Sequence, residues 1–245
     1  MSETQHEKCR ICNGAFSALS MGEKNGYRLI ACRSCGSVMA DPWPTREDVE
    51  KLYADIQPEI THQPKFEIII ANTKKTITKV CNGKPEGTTF LDVGCRQGYA
   101  VNAAQSLDMK AKGIDSFDFF IRFSKEKYPS LDTDCMTAMD YAATGQQADV
   151  IYASETFCEQ NDPDAYTAAL AKILAPGGFL YIEEPNGNAF NVPAKFANWG
   201  FVDPPLNFLY VSKTGIEKML ARHGLKITRS YFTWSPFMRL LVTKK

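Results

Sequence analysis

From residue 89 to residue 242 short apolar runs alternate with amphipathic stretches, and this constrains the fold more than any other feature of the chain. Residues 89–93 (TFLDV), 110–114, 134–137, 149–153 (DVIYA) and 179–182 read as strands. A stretch running to Leu107, then 117–127 and 163–174, read as the helices between them. A helix over 214–223, closed by Gly224, precedes two last strands at 226–232 and 238–242. Strict alternation implies right-handed βαβ crossovers, and therefore an α/β fold with a parallel sheet covered by helices on both faces.

The first strand runs straight into Asp92-Val-Gly94-Cys-Arg96-Gln-Gly98 and a helix. Glycines at the carboxyl end of a first strand let a ligand approach the backbone at the switch point of the sheet. Asp115 ends the second strand 23 residues after Asp92, the position from which a carboxylate grips both ribose hydroxyls of an adenosine ligand. Ser154 and Glu155 end the fourth strand, where this architecture lines its cleft. Glycines also make ordinary turns, so the loop alone is a weak signal. Its combination with Asp115 and the strand pattern is specific.

On these residues the stretch from Glu86 to Lys245 resembles the class I S-adenosylmethionine-dependent methyltransferases. Asp92-x-Gly94-x-Arg96-x-Gly98 looks like their first motif, usually acid-x-Gly-x-Gly-x-Gly. Gly113-Ile-Asp115-Ser116 looks like the second, and Thr137-Ala-Met139-Asp140 like the adenine-edge motif. The run from Ala148 to Glu155, and Leu174-Ala-Pro-Gly-Gly178 followed by a strand and Glu184-Pro-Asn186, resemble the fourth and fifth strands with their flanks. The resemblance implies a Rossmann-like, seven-stranded, doubly wound sheet with its last strand antiparallel. It implies S-adenosylmethionine as cofactor, held by Asp92, Gly94, Arg96, Gly98, Asp115, Ser116, Met139, Asp140 and Ser154, with either Met139 or Asp140 facing the pocket. In two places the chain departs from the pattern. Arg96 replaces the central glycine, so its side chain either points out of the pocket, meets the methionine carboxylate, or obstructs the cofactor. Glu159-Gln160 stands where relatives commonly carry Glu-His, which leaves His62 and Glu155 as the candidates for a catalytic base.

Ahead of this region lie Cys9-x-x-Cys12 and Cys32-x-x-Cys35, nineteen residues apart. Two facing C-x2-C turns make a tetrahedral sulfur site, the closed geometry of structural Zn2+. A redox C-x-x-C does not normally come twice outside a βαβ unit. Gly14 and Gly36 are expected to supply the backbone freedom of the two knuckles. The expected organisation is a zinc ribbon over 1–40, a helical connector over 41–85 and a methyltransferase domain over 86–245. The connector holds a capping box, Thr45-Arg-Glu-Asp48, and a second helix over about 63–80. More narrowly, Cys32-Arg-Ser-Cys-Gly36 and the run from Asp41 to Tyr53 (DPWPTREDVEKLY) are similar to a bacterial subfamily with an N-terminal zinc ribbon, whose members often accompany polysaccharide or natural-product pathways. Cys81, Cys95, Cys135 and Cys158 lack ligand spacing, and Cys135 and Cys158 are expected to pack as small buried hydrophobes.

Composition narrows the partner. The 28 Lys+Arg balance 28 Asp+Glu, which removes the global field of a dedicated nucleic-acid binder, and 44% hydrophobic residues exclude wholesale disorder. The polar start has no apolar signal core, and the longest aliphatic cluster, 66–71, is too short for a membrane span; a cytoplasmic location without membrane partners is expected. The expected acceptor is a small molecule, such as a sugar or natural-product intermediate, methylated on oxygen or nitrogen. Two rival readings stand: a ribosomal-RNA methyltransferase gripping RNA with the ribbon, and a non-catalytic binding protein whose pocket was lost to Arg96. Residues 1–40 carry five Lys/Arg against three Glu, too slight an excess to argue phosphate binding.

Overall fold

A computed structural model of the protein describes residues 8–60 and 66–245. Its N-terminal part comprises β1 (Ala18–Lys24), β2 (Tyr27–Cys32), β3 (Val38–Asp41), α1 (Arg46–Ile60) and α2 (Phe66–Val80). The alternating region follows as β4 (Thr89–Val93), α3 (Tyr99–Gln105), β5 (Lys110–Asp115), α4 (Asp118–Lys127), β6 (Thr133–Cys135), α5 (Ala138–Ala143), β7 (Ala148–Ser154), α6 (Pro163–Ile173) and β8 (Leu174–Pro185). The chain ends with β9 (Leu209–Tyr210), α7 (Lys213–Arg222), β10 (Leu225–Tyr231) and β11 (Phe237–Lys244).

Seven strands form one sheet in the order β10-β11-β8-β7-β4-β5-β6, and β11 alone runs antiparallel to both of its neighbours. This is the expected Rossmann-like sheet. Period-two alternation within the strands creates a core on each face. Leu91, Ile151, Leu180 and Ile182 point towards α5, α6 and α7, whereas Phe90, Val150, Tyr152 and Tyr181 pack under α2 and α3. Strand order reverses between β4 and β7, which places the switch point beside the glycine loop.

Three local expectations are corrected. The strand expected over 134–137 is present but shorter and shifted, covering Thr133–Cys135. Thr137 instead caps α5, exchanging side-chain and backbone hydrogen bonds with Asp140 in a capping box. Cys135 is exposed at the sheet edge, because β6 has a neighbour on one side only, whereas Cys158 is buried in a 3-10 turn, Phe157–Glu159. In the first knuckle it is Asn13, at φ 56°, that takes the left-handed position, and not Gly14; Gly36 does so in the second, at φ 75°.

A second sheet, β1-β2-β3-β9, joins the N-terminal strands to the segment that precedes α7. Leu209 and Tyr210, inside what reads as a long loop, pair with Met39 and Val38. Cys9 and Ile11 enter the same core as Ile216, Met219 and Leu220 of α7. The fit is close. A Cβ on Gly215 would lie 2.4 Å from Ser37 Oγ and 2.9 Å from Ile11 Cγ2. Trp199, Phe208 and Tyr210 are likewise buried, the first and last with Leu29, Ala31 and Val38 of the small sheet.

Candidate active site

The loop after β4 is a tight turn. The N–H groups of Gly94 and Cys95 both donate to Ile114 O, at 2.8 and 3.0 Å, which ties the loop to the end of β5. Gly94 has φ 76°, and a Cβ there would lie 2.7 Å from Thr156 Cγ2, so only glycine fits. Arg96 is also left-handed, at φ 45°, a costly conformation for a residue with a side chain. Its N–H donates to Asp115 Oδ2 at 2.9 Å, and that bond helps to hold the conformation.

Beside this loop a cavity of about 500 Å3 opens along the carboxyl ends of β4, β5 and β7. That volume suits a nucleoside-sized ligand. Asp115 and Ser116 form one wall with Phe117 and Phe120, residues 136–139 form a second, and Glu155, Thr156 and residues 159–162 form a third with Tyr166. Arg46 and Val49 of α1 close over it. α1 is seated there by Tyr53, whose ring contacts Phe117, Phe119 and Phe120, and by the hydrogen bond from Arg46 to Ser116 O.

Asp115 is buried, and each of its carboxylate oxygens accepts one backbone N–H, Oδ1 from Phe117 and Oδ2 from Arg96. Burial pushes its carboxyl up, while those two amides and the Arg96 guanidinium pull it back. Asp92 lies behind the loop, fully buried, and burial together with the charge of Asp115 pushes it up to about 8. Two adjacent buried acids share one charge most cheaply when the one that accepts backbone N–H groups ionises, which is Asp115. The proton therefore resides on Asp92. A carboxyl raised in this way stabilises the fold at low pH, and that contribution is lost as pH climbs from the ordinary aspartate range to about 8. Between pH 6 and 8 the ligand-free protein is expected to lose about 2 kcal/mol from this group. Chemical denaturation at both pH values should show the loss, and Asp92→Asn should remove this share of it; Glu184, whose carboxyl burial also pushes up to about 8, loses stability over the same range and keeps its own share in the variant.

The Arg96 side chain crosses the cavity rim to Glu159, with Nη2 to Oε1 at 2.5 Å, and its guanidinium lies 5.9 Å from the Phe120 ring centre. Glu155 stands beside it at the end of β7, also left-handed at φ 56°. Burial pushes the carboxyls of Glu155 and Glu159 up, and Arg96 draws both down. The turn carrying Glu159 rests on Glu184, whose fully buried carboxyl group accepts the N–H groups of Thr156, Phe157 and Cys158; burial pushes it up to about 8, and those three amides pull it back.

Of the residues expected from sequence, Gly94, Arg96, Asp115, Ser116, Met139 and Glu155 meet on the cavity wall. Four others sit off it. Asp92 supports the loop from behind, and a Cβ on Gly98 would meet Leu131 at 2.9 Å. Asp140 caps α5, and Ser154 is half-buried at the end of β7 without lining the cavity. His62, like His6, lies outside the described residues. Arg46, Val49 and Tyr166 were not expected here; they come from helices distant in sequence, and only the fold brings them in. Phe117 and Phe120 carried a local signal, an aromatic run directly after Asp115.

Near the N-terminus Cys9, Cys12, Cys32 and Cys35 gather their sulfurs within 4.8 Å of one another. Cys9 and Cys35 are 3.9 Å apart at Sγ, and Cys12 and Cys32 are 4.0 Å apart. A tetrahedral centre with metal–sulfur bonds of about 2.3 Å needs about 3.8 Å, so the four thiols are spaced for a closed metal site. The Ile11 N–H pointing at Cys9 Sγ, 3.4 Å away, favours thiolate there. No other cluster of three or more metal-ligating side chains occurs among the described residues.

A sequence profile described as a methyltransferase domain matches residues 64–230, about two thirds of the chain. The chain belongs to this methyltransferase-domain family. The match begins beyond the four cysteines. Among curated relatives, a ubiquinone biosynthesis O-methyltransferase of Thiobacillus denitrificans is 31% identical over 108 residues, 42% of this chain and 47% of that protein. One from Cereibacter sphaeroides is 25% identical over 169 residues, 61% of this chain and 68% of that protein. The chain thus spans 47% and 68% of the length of these two relatives. In solved structures, a magnesium protoporphyrin IX methyltransferase from Synechocystis PCC 6803 with bound SAH superposes with a TM-score of 0.62 at 14% identity, over 82% of this chain and 98% of that one. A [4+2]-cyclase superposes with a TM-score of 0.60 at 17% identity, over 78% of this chain and 76% of that one. The family fold is thus shared by proteins of different chemistry, and function has to be argued from the site. Among the described residues no helix is long and apolar enough to cross a membrane.

Proposed function

We propose that the protein is an S-adenosylmethionine-dependent methyltransferase that methylates oxygen on a small-molecule acceptor, with one structural Zn2+ held by Cys9, Cys12, Cys32 and Cys35. The observation that carries the reading is Asp115. It is buried on the wall of a nucleoside-sized cavity, and two backbone amides fix its carboxylate, each oxygen keeping a free lone pair for a ribose hydroxyl. The rest of the wall matches a zwitterionic ligand. Arg96 offers a guanidinium to a carboxylate, and Glu159 offers negative charge to an ammonium. Residues 136–139 with Phe117 give a largely apolar slot for an adenine. Membership of the family and the O-methyltransferases among its similar relatives support the same chemistry. The chain divides in this reading as a ribbon over 1–40, a connector over 41–85 whose first helix covers the cavity, and a methyltransferase body over 86–245.

When bound, S-adenosylmethionine supplies an already activated methyl group, so the protein aligns the acceptor, excludes water and removes a proton. Arg46 and Val49 shield the cavity from above. Glu155 takes the role of base. Its raised carboxyl lies at the carboxyl end of β7, and its strained backbone is the kind of cost retained where a side chain must point into a site. Glu155→Gln is therefore expected to lower kcat for a hydroxyl acceptor by about 100-fold or more while S-adenosylhomocysteine affinity stays within about twofold. Radiolabelled methyl transfer to a panel of phenols and sugars, run beside calorimetry, measures both. An unchanged kcat removes Glu155 from this role.

A further inference from the structure

The four-cysteine centre and the cavity are joined by a continuous path of hydrogen bonds through β9. The knuckle from Cys32 to Cys35 is the turn that connects β2 to β3. Cys35 O accepts from Ser212 Oγ, and Ser37 Oγ accepts from Ser212 N at 3.0 Å. Val38 and Met39 pair with Tyr210 and Leu209, and Ala40 N donates to Phe208 O at 2.8 Å. On the other side of the same segment, Phe208 N donates to Cys158 O at 3.0 Å, and Asn207 Oδ1 accepts from Cys158 Sγ at 3.3 Å. The next residue is Glu159, the partner of Arg96 on the cavity rim.

Two features make this path more than adjacency. The turn Phe157–Glu159 is a single 3-10 turn, too short to hold its own shape. It is fixed from one side by Glu184 and from the other by residues 207–208. β9 in turn has two residues and pairs only with β3, and so short a strand does not persist without its partner. We propose that the four-cysteine centre is a positioning element for the cofactor cavity: the metal-closed knuckle fixes β3, β3 fixes residues 207–210, and these hold the turn so that Glu159 meets Arg96. The inference rests on the reading above for the metal and the cofactor, but its geometry is that of the free protein.

Hydrogen exchange on the full chain, before and after zinc is stripped with 1,10-phenanthroline, tests it together with calorimetry of S-adenosylhomocysteine. Stripping is expected to speed exchange at residues 156–160 about tenfold or more, leave β4 and β5 protected, and weaken binding about tenfold, with zinc restoring both. Unchanged protection at 156–160 in metal-free protein overturns the proposal. If stripping unfolds the whole chain, Asn207→Ala decides, since it leaves the cysteines intact. Faster exchange confined to 156–160 at full zinc content, reversed in Asn207→Asp with its retained oxygen acceptor, supports the proposal, and wild-type exchange overturns it. Zinc-dependent protection of the turn in a protein that binds no S-adenosylhomocysteine sinks the cofactor reading and leaves the brace standing.

Discussion

Replacing Asp115 by alanine is expected to weaken S-adenosylhomocysteine binding by about 100-fold or more. The change removes both acceptors for a ribose and strands the N–H groups of Arg96 and Phe117. The stranded donors weaken the fold, whereas each ribose hydroxyl buried without its acceptor costs binding about 1–3 kcal/mol, and about 2.7 kcal/mol corresponds to two decades of affinity. The loop geometry should suffer as well, because the Arg96 amide is held in its left-handed conformation by this carboxylate. Asparagine keeps one acceptor oxygen, so Asp115→Asn should sit between wild type and alanine. Calorimetry on all three proteins, with melting curves to confirm folding, measures the effect. Equal affinity in all three would remove Asp115 from the ligand site.

The second large effect is expected from the cysteines. Cys9 and Cys35 are buried, and Cys9 shares a core with Ile11 and with Met219 and Leu220 of α7. Loss of metal from Cys9→Ser therefore does not simply loosen an appendage. It unties the small sheet, and with it the segment that buries Phe208, Leu209 and Tyr210. Structural zinc contributes folding energy outright, and a loss of about 5 kcal/mol is expected here. For a chain of this size that lowers Tm by about 10 °C or more. Metal content by mass spectrometry and calorimetric melting of Cys9→Ser and Cys35→Ser test this. A zinc-free variant that melts like wild type would refute a structural centre.

The two parts of the protein differ in how far they could be read from sequence. The loop after β4 and Asp115 were legible because both lie at strand ends, where local pattern fixes position along the chain and the fold fixes which edge they occupy. The cysteine pairs were legible from spacing alone. β1 was missed although Asn25-Gly26 is a local hairpin signal, because residues 18–24 are mostly exposed and present no apolar face. The helix at Ala138–Ala143 was hidden by a strand reading of residues 134–137, yet Thr137 and Asp140 stand at capping-box spacing. β9 could not be found locally. Two residues carry no period, and their partner β3 lies some 170 positions earlier. For the same reason the cover supplied by Arg46 and Val49, and the Glu184 support beneath the 3-10 turn, exist only in the folded chain. Arg96 was visible as a departure from the motif, but its destination, Glu159, was not.

What fills the cavity beside Asp115 decides the function of the protein. Isothermal titration of zinc-loaded wild-type protein with S-adenosylhomocysteine measures this directly. One site per chain is predicted, with Kd of about 1–100 µM, and saturating ligand at about 100 Kd should stabilise the fold by about 2.7 kcal/mol. Folded, zinc-loaded protein that gives neither heat nor a shift in Tm at about 1 mM ligand would contradict it.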